Sequence, residues 1–136
     1  MAIVMMIIIL ALIQYVIFSF RVGMARSRYN VVAPLISGHE LFERTYRVQQ
    51  NTLEQLVLFI PAISILGLLG HEQGLNLWLF TGIPGITWII GRLIYAITYI
   101  RNPATRGPGF VLTILPSVFM LLTSMYLIIK ELMQAT

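Results

Sequence analysis

Cysteine is absent from the 136 residues. Its absence excludes disulfides, thiolate metal ligands and a thiol nucleophile belonging to the protein. Any sulfur chemistry here needs a substrate that brings its own thiol. Charge is nearly as scarce: 10% of residues are Asp, Glu, Lys or Arg, against about 25% in soluble domains. Hydrophobic residues make up 58%, and the mean hydropathy is +0.87. That balance excludes a water-soluble globule. Lysine is almost missing as well, since eight of the nine basic residues are Arg. Arg grips carboxylates with a planar fork, whereas Lys acts as a point charge. The net charge of +4 does not point to nucleic acid, because the few basic residues flank apolar runs. There they set topology or serve a site. His39 and His71 stand alone in different connections, so no metal site is expected.

What is present is long apolar sequence. Four segments approach or exceed the roughly 20 residues that cross a bilayer: about 2–20, 38–70, 75–100 and 110–130. The expected fold is an all-α integral membrane protein, a four-transmembrane-helix bundle in a single domain over 1–136. The first segment, with Gln14 its only strongly polar residue, lacks a basic leader and a small-residue cleavage site, and reads as a retained anchor. Pro61, Pro84 and Pro116 fall inside spans two, three and four, where kinks are expected. "GPG" at 107–109 reads as a turn before the last helix. Loop 21–37 carries Arg21, Arg26 and Arg28, and loop 101–109 carries Arg101 and Arg106. The middle loop, "HEQGLN", has no Lys or Arg. The positive-inside rule makes the first and third loops cytoplasmic and puts both termini on the opposite side.

Polar residues enter the second and third spans at that same end. Glu40, Arg44, Arg47, Asn51 and Glu54 are spaced 4, 3, 4, 3, which places them on one helical face. Trp88, Arg92, Tyr95 and Tyr99, spaced 4, 3, 4, share a face of the third helix. A charge at mid-bilayer costs about 2.5–3.5 kcal/mol on the insertion scale, so Arg47, Glu54 and Arg92 should face an interior or a protein–protein seam. The plainer reading is a set of ion pairs, with Arg44 and Arg47 held by Glu40, Glu43 and Glu54. Those acids leave Arg26, Arg92, Arg101 and Arg106 unbalanced, and a net-positive polar pocket suits an anionic ligand.

"FERTYRVQQNTLEQ" followed by "GRLIYAITYIRNPATR" resembles the MAPEG family, membrane-associated proteins of eicosanoid and glutathione metabolism. The resemblance runs over nearly the whole chain: four spans, Glu-Arg-x-x-Arg-x-Gln-x-Asn-x-x-Glu in helix two, and Arg-x-x-Tyr-x-x-x-Tyr in helix three. It implies a homotrimer with glutathione, as co-substrate, bound between neighbouring subunits near the cytoplasmic surface. Carried over by position, Arg47, Gln49, Asn51, Glu54 and Gln55 of helix two and Arg92, Tyr95 and Tyr99 of helix three bind glutathione. Arg26 resembles a contact given by the adjoining subunit. Arg106 resembles the catalytic arginine at the glutathione sulfur. Three positions depart from patterns seen among members: Ser27 where a second arginine can stand, Gln55 where a tyrosine can follow the glutamate, and Gly107 where a serine can follow the arginine.

The resemblance therefore implies a membrane-bound glutathione transferase, or peroxidase, acting on lipophilic electrophiles or lipid hydroperoxides. Two alternatives stand beside it: a non-catalytic lipid-binding or lipid-presenting member of the same family, and a small transporter. Retention of Arg47 and Arg106 favours catalysis over the first. The gathering of charge at one end, rather than at mid-membrane, argues against the second.

Overall fold

The computed structural model describes residues 1–135. It contains four long helices: α1 (Ala2–Arg28), α2 (Glu40–Glu72), α3 (Ile83–Arg101) and α4 (Gly107–Ala135). Each is long and apolar enough to cross a membrane, α3 together with the π-helical turn Trp78–Gly82 that precedes it. Their outward surfaces carry Met5, Ile9, Ile13, Ile17, Val57, Leu68, Leu115 and Leu122, all exposed. This is a multi-pass integral membrane protein.

α1 is longer than its apolar run. The hydrophobic sequence stops at Phe20, but the helix continues to Arg28, so Arg21, Arg26 and Arg28 lie on helix rather than in a loop. The two arginines of its last turn complement the negative end of the helix dipole. The connection that follows is short and tied down. Arg26 Nη1 donates to the carbonyls of Val31 (3.3 Å) and Leu35 (2.7 Å), and its guanidinium lies 4.8 Å from the centre of the Phe42 ring. His39 is the N-cap of α2: its Nδ1 accepts from the Leu41 amide at 3.2 Å, and its ring stacks on Tyr29 at 3.9 Å. Glu43 accepts from the Gly38 amide at 2.9 Å. Gly38 has φ +137°, a backbone region open to glycine and strained for other residues.

The far half of the bundle is dry. Val4, Ile7 and Ala11 of α1 meet Leu56, Phe59, Ile63 and Leu66 of α2, Trp88 of α3 and Met120 of α4. Phe59 and Trp88 stack with ring centres 4.3 Å apart. Before α3, the Ile83 amide reaches back to the Trp78 carbonyl, five residues away. Pro84 cannot donate a hydrogen bond, and the register widens just ahead of it.

The "GPG" stretch is not a turn. Gly107 begins α4, and the break in the chain is a short 3-10 segment, Pro103–Thr105, capped by the Asn102 side chain. Gly109 serves packing instead: a Cβ there would lie 2.4 Å from the Tyr95 backbone nitrogen. Gly91 of α3 makes the reciprocal approach, its would-be Cβ lying 2.8 Å from the Leu112 backbone. Small residues that let two backbones touch are the usual means of joining membrane helices. They fix the height of α4 against α3, and with it the position of Arg106.

Candidate functional site

α2 and α3 meet through one buried arginine. Arg92 is fully buried, and so is Thr52 opposite it. Arg92 Nη2 donates to Thr52 Oγ1 at 2.8 Å, and Nη1 donates to Asn51 Oδ1 at 3.1 Å. Thr52 can accept because its own hydroxyl proton is directed to the Val48 carbonyl, 2.7 Å away. The Arg92 guanidinium also lies 4.3 Å from the centre of the Tyr95 ring, which stacks on Tyr99 at 5.3 Å. The buried charge is thus held by neutral acceptors and an aromatic face. The placement agrees with the need to keep Arg92 from lipid.

Asn51 relays this arrangement outward. While its Oδ1 receives Arg92, its Nδ2 donates to Glu54 Oε2 at 3.0 Å. Above the relay lies a polar pocket of about 230 Å³, lined by Arg47, Asn51, Tyr95, Tyr99, Arg106 and Phe110. Three helices build it: Arg47 and Asn51 come from α2, the tyrosines from α3, and Phe110 from α4, with Arg106 at the junction before α4. Arg106 Nη1 donates to the Pro103 carbonyl at 3.2 Å, which anchors the side chain to its own turn. No acidic side chain lines the pocket.

Five of the residues singled out in the sequence therefore come together: Arg47, Asn51, Tyr95, Tyr99 and Arg106. Glu54 and Arg92 join them through Asn51. Gln49 does not. Its Nε2 donates to Tyr15 Oη at 2.6 Å, on the α1 side of the helix, and its Oε1 accepts from Gln50. Gln55 is half-buried with its Oε1 enclosed and unpartnered, away from the pocket lining. Arg26 is committed to the α1–α2 connection of its own chain.

The ion-pair reading survives in one place. Among the described residues the sole salt bridge joins Arg44 and Glu40. Arg44 also donates to the Ile100 and Arg101 carbonyls, both at 3.0 Å, and so closes the C-terminus of α3. It is a staple between helices, not part of the pocket. Arg47 is left without an acid partner among the described residues, and it lines the pocket together with Arg106.

Two contributors escaped the sequence reading. Thr52 is one polar residue among many in its stretch, and only the fold reveals that it faces Arg92. Phe110, the first large apolar residue of α4, supplies the pocket with an apolar wall.

The MAPEG family profile matches residues 4–126. An uncharacterized protein of Synechocystis is 35% identical over 125 residues, covering 92% of this chain and 87% of its own. Human microsomal glutathione S-transferase 2 is 32% identical over 106 residues, covering 78% of this chain and 68% of the human one. Bovine leukotriene C4 synthase is 33% identical over 89 residues, 65% of this chain and 55% of the bovine one. With the family's profile matching from the first span into the last and relatives of this identity over most of its length, the chain belongs to the MAPEG family.

Proposed function

We propose that the protein is a membrane-bound glutathione transferase, with peroxidase activity toward lipid hydroperoxides as a second use of the same thiolate. The observation that carries this reading is the pocket lined by both Arg47 and Arg106, with no acidic residue in its lining among the described residues. Glutathione offers two carboxylates, an ammonium and a thiol. The Arg47 fork suits a carboxylate, and Glu54, oriented by Asn51, suits the ammonium. Arg106 then stands at the thiol. A free thiol of this kind ionises near pH 8.5, and a neighbouring cation favours the thiolate, which is the nucleophile. In transfer, the thiolate forms a carbon–sulfur bond with the electrophile while its leaving group or opened epoxide oxygen takes the electron pair. With a hydroperoxide, the thiolate takes the terminal oxygen and the alkoxide leaves and is protonated. A second glutathione then converts the sulfenic acid to disulfide and water.

The human relative is by its name a glutathione S-transferase, which supports the transferase assignment. A lipophilic electrophile would reach the sulfur from the bilayer, past Phe110. By the positive-inside rule, the arginines at the end of α1 and around the α3–α4 junction support a pocket on the cytoplasmic side, with both termini opposite.

The pocket of one chain is below the roughly 300–1,000 Å³ typical of ligand sites. Arg47 and Glu54 are exposed on a span. Both facts support a second chain completing the site, in a homotrimer with closed symmetry. Arg26, which lies outside the pocket of its own chain, would then reach a neighbour's.

Thiolate absorbance near 240 nm tests the reading directly. Glutathione mixed with the protein at neutral pH should give a thiolate band that Arg106→Ala abolishes; binding without the band would remove Arg106 from its assigned role, and no binding would leave a lipid-binding protein. Mixing two inactive variants, Arg26→Ala and Arg106→Ala, tests the shared site. Mixed trimers should regain part of the activity, and mixed trimers that stay inactive would mean that each chain builds its own site.

A further inference from the structure

A second basic pocket lies on a different flank of the bundle. It measures about 290 Å³ and is bounded by Arg21, Met24, Arg28 and Tyr29 of the α1 end, Thr45 of α2 and Ile100 of α3. It shares no residue with the Arg47–Arg106 pocket. Arg21 and Arg28 are seven residues apart, two turns along one stripe of α1, and Arg26 points to another side. We propose that this pocket binds the phosphate headgroup of an anionic membrane phospholipid.

Depth, charge and shape each point there. Arg21 is the first residue past the apolar run of α1, which sets the pocket at the level where headgroups begin. Arg21 and Arg28 have no acidic partner among the described residues. The nearby acids are engaged elsewhere, Glu40 by Arg44 and Glu43 by the Gly38 amide. Tyr29 is a fixed wall, stacked on His39 and lying 5.8 Å from the Arg28 guanidinium. Met24 and Ile100 offer an apolar floor continuous with the lipid-facing surface, suited to the first methylenes of acyl chains. Arg44 holds the α2 and α3 walls together through the Ile100 and Arg101 carbonyls. A free anion would use the two arginines but not this floor, so the pocket is assigned to a lipid.

The test is native mass spectrometry of the full chain, equilibrated with equal amounts of phosphatidylglycerol and phosphatidylcholine, and it needs no glutathione. Two arginines near a membrane surface should give roughly a 10–30-fold preference for the anionic lipid. Arg21→Gln/Arg28→Gln should abolish that preference. Met24→Trp, which fills the pocket without altering charge, should lower the bound phosphatidylglycerol as well, and Arg101→Gln, which removes one charge at the same end outside the pocket, should leave it in place. Equal losses in Arg101→Gln and the double variant, or full retention in Met24→Trp, would show diffuse attraction and overturn the site. Displacement of the lipid by millimolar inorganic phosphate would overturn the lipid assignment in favour of a free anion.

Discussion

The two halves of the bundle are held by different means. In the far half, α2 meets its neighbours through Phe59, Ile63 and Leu66, and the contacts are aromatic stacking and side-chain packing. In the half near the basic connections, the same helix meets α3 through Arg92, Asn51, Thr52 and Arg44, each with directed hydrogen bonds across more than 39 residues of sequence. Lipid is as apolar as the dry half, so burial there gains little from leaving the surroundings, and shape decides the contact. The polar half has the opposite economy. Its groups have no good alternative partner at that depth, so each hydrogen bond fixes a position as well as holding a contact. The proposed glutathione site, which would set a thiol against the Arg106 guanidinium, lies in the second half.

Four substitutions separate the halves. The largest effect is expected for Arg106→Ala, which should lower the turnover of a glutathione-dependent reaction by roughly 10²–10³-fold, the usual loss of one charge-stabilising donor. Its thermal unfolding should be nearly unchanged, because among the described residues the Arg106 side chain bonds only to the Pro103 carbonyl and its backbone bond from the Phe110 amide survives the substitution; a large drop in melting temperature would show that the arginine is structural.

A pair of glycine variants should give the next largest difference. Gly109→Ala drives a methyl into the backbone of Tyr95, whereas Gly85→Ala meets the buried Ile7 side chain in the apolar half. Each overpacks, at about 1–3 kcal/mol. Only Gly109→Ala should also cut activity, by tenfold or more, since about 1 Å of misplacement is enough to do so. Equal activity losses in both would mean that the halves are not mechanically separate.

The smallest effect is expected for Thr52→Val, which preserves shape and removes the acceptor of Arg92 Nη2 while Asn51 keeps Nη1. Leaving a buried donor unpaired costs about 1–3 kcal/mol. Glutathione affinity should fall several-fold through Asn51, with kcat changed less. An unaltered KM with reduced stability would confine Thr52 to the fold.

The four spans were legible because the bilayer is a uniform solvent and hydropathy reports it directly. Helix length was not, since the last turns of α1, from Arg21 to Arg28, lie beyond the apolar run and are stabilised by dipole and connection contacts instead. Spacing along α2 and α3 placed Arg47, Asn51, Tyr95 and Tyr99 on faces that do converge. It could not tell Arg44, which turns to the end of α3, from Arg47, three residues on, which turns to the pocket. Nor could it see that Gln49 has Tyr15 as its partner, 34 residues earlier. Such choices rest on which helix lies alongside, and a single helix does not record its neighbours.

The Arg44 staple has a consequence for the order in which the chain is made. During synthesis α1 and α2 emerge first, and the carbonyls of Ile100 and Arg101 do not exist until 56 and 57 residues after Arg44. In that interval Glu40, one turn back on the same helix, is already present to neutralise the arginine. When the second helical hairpin arrives, Arg44 keeps this partner and gains the two carbonyls with its other amino group. The residue is thus a latch that an unfinished chain carries open, and its closure records that the third span has been delivered beside the second.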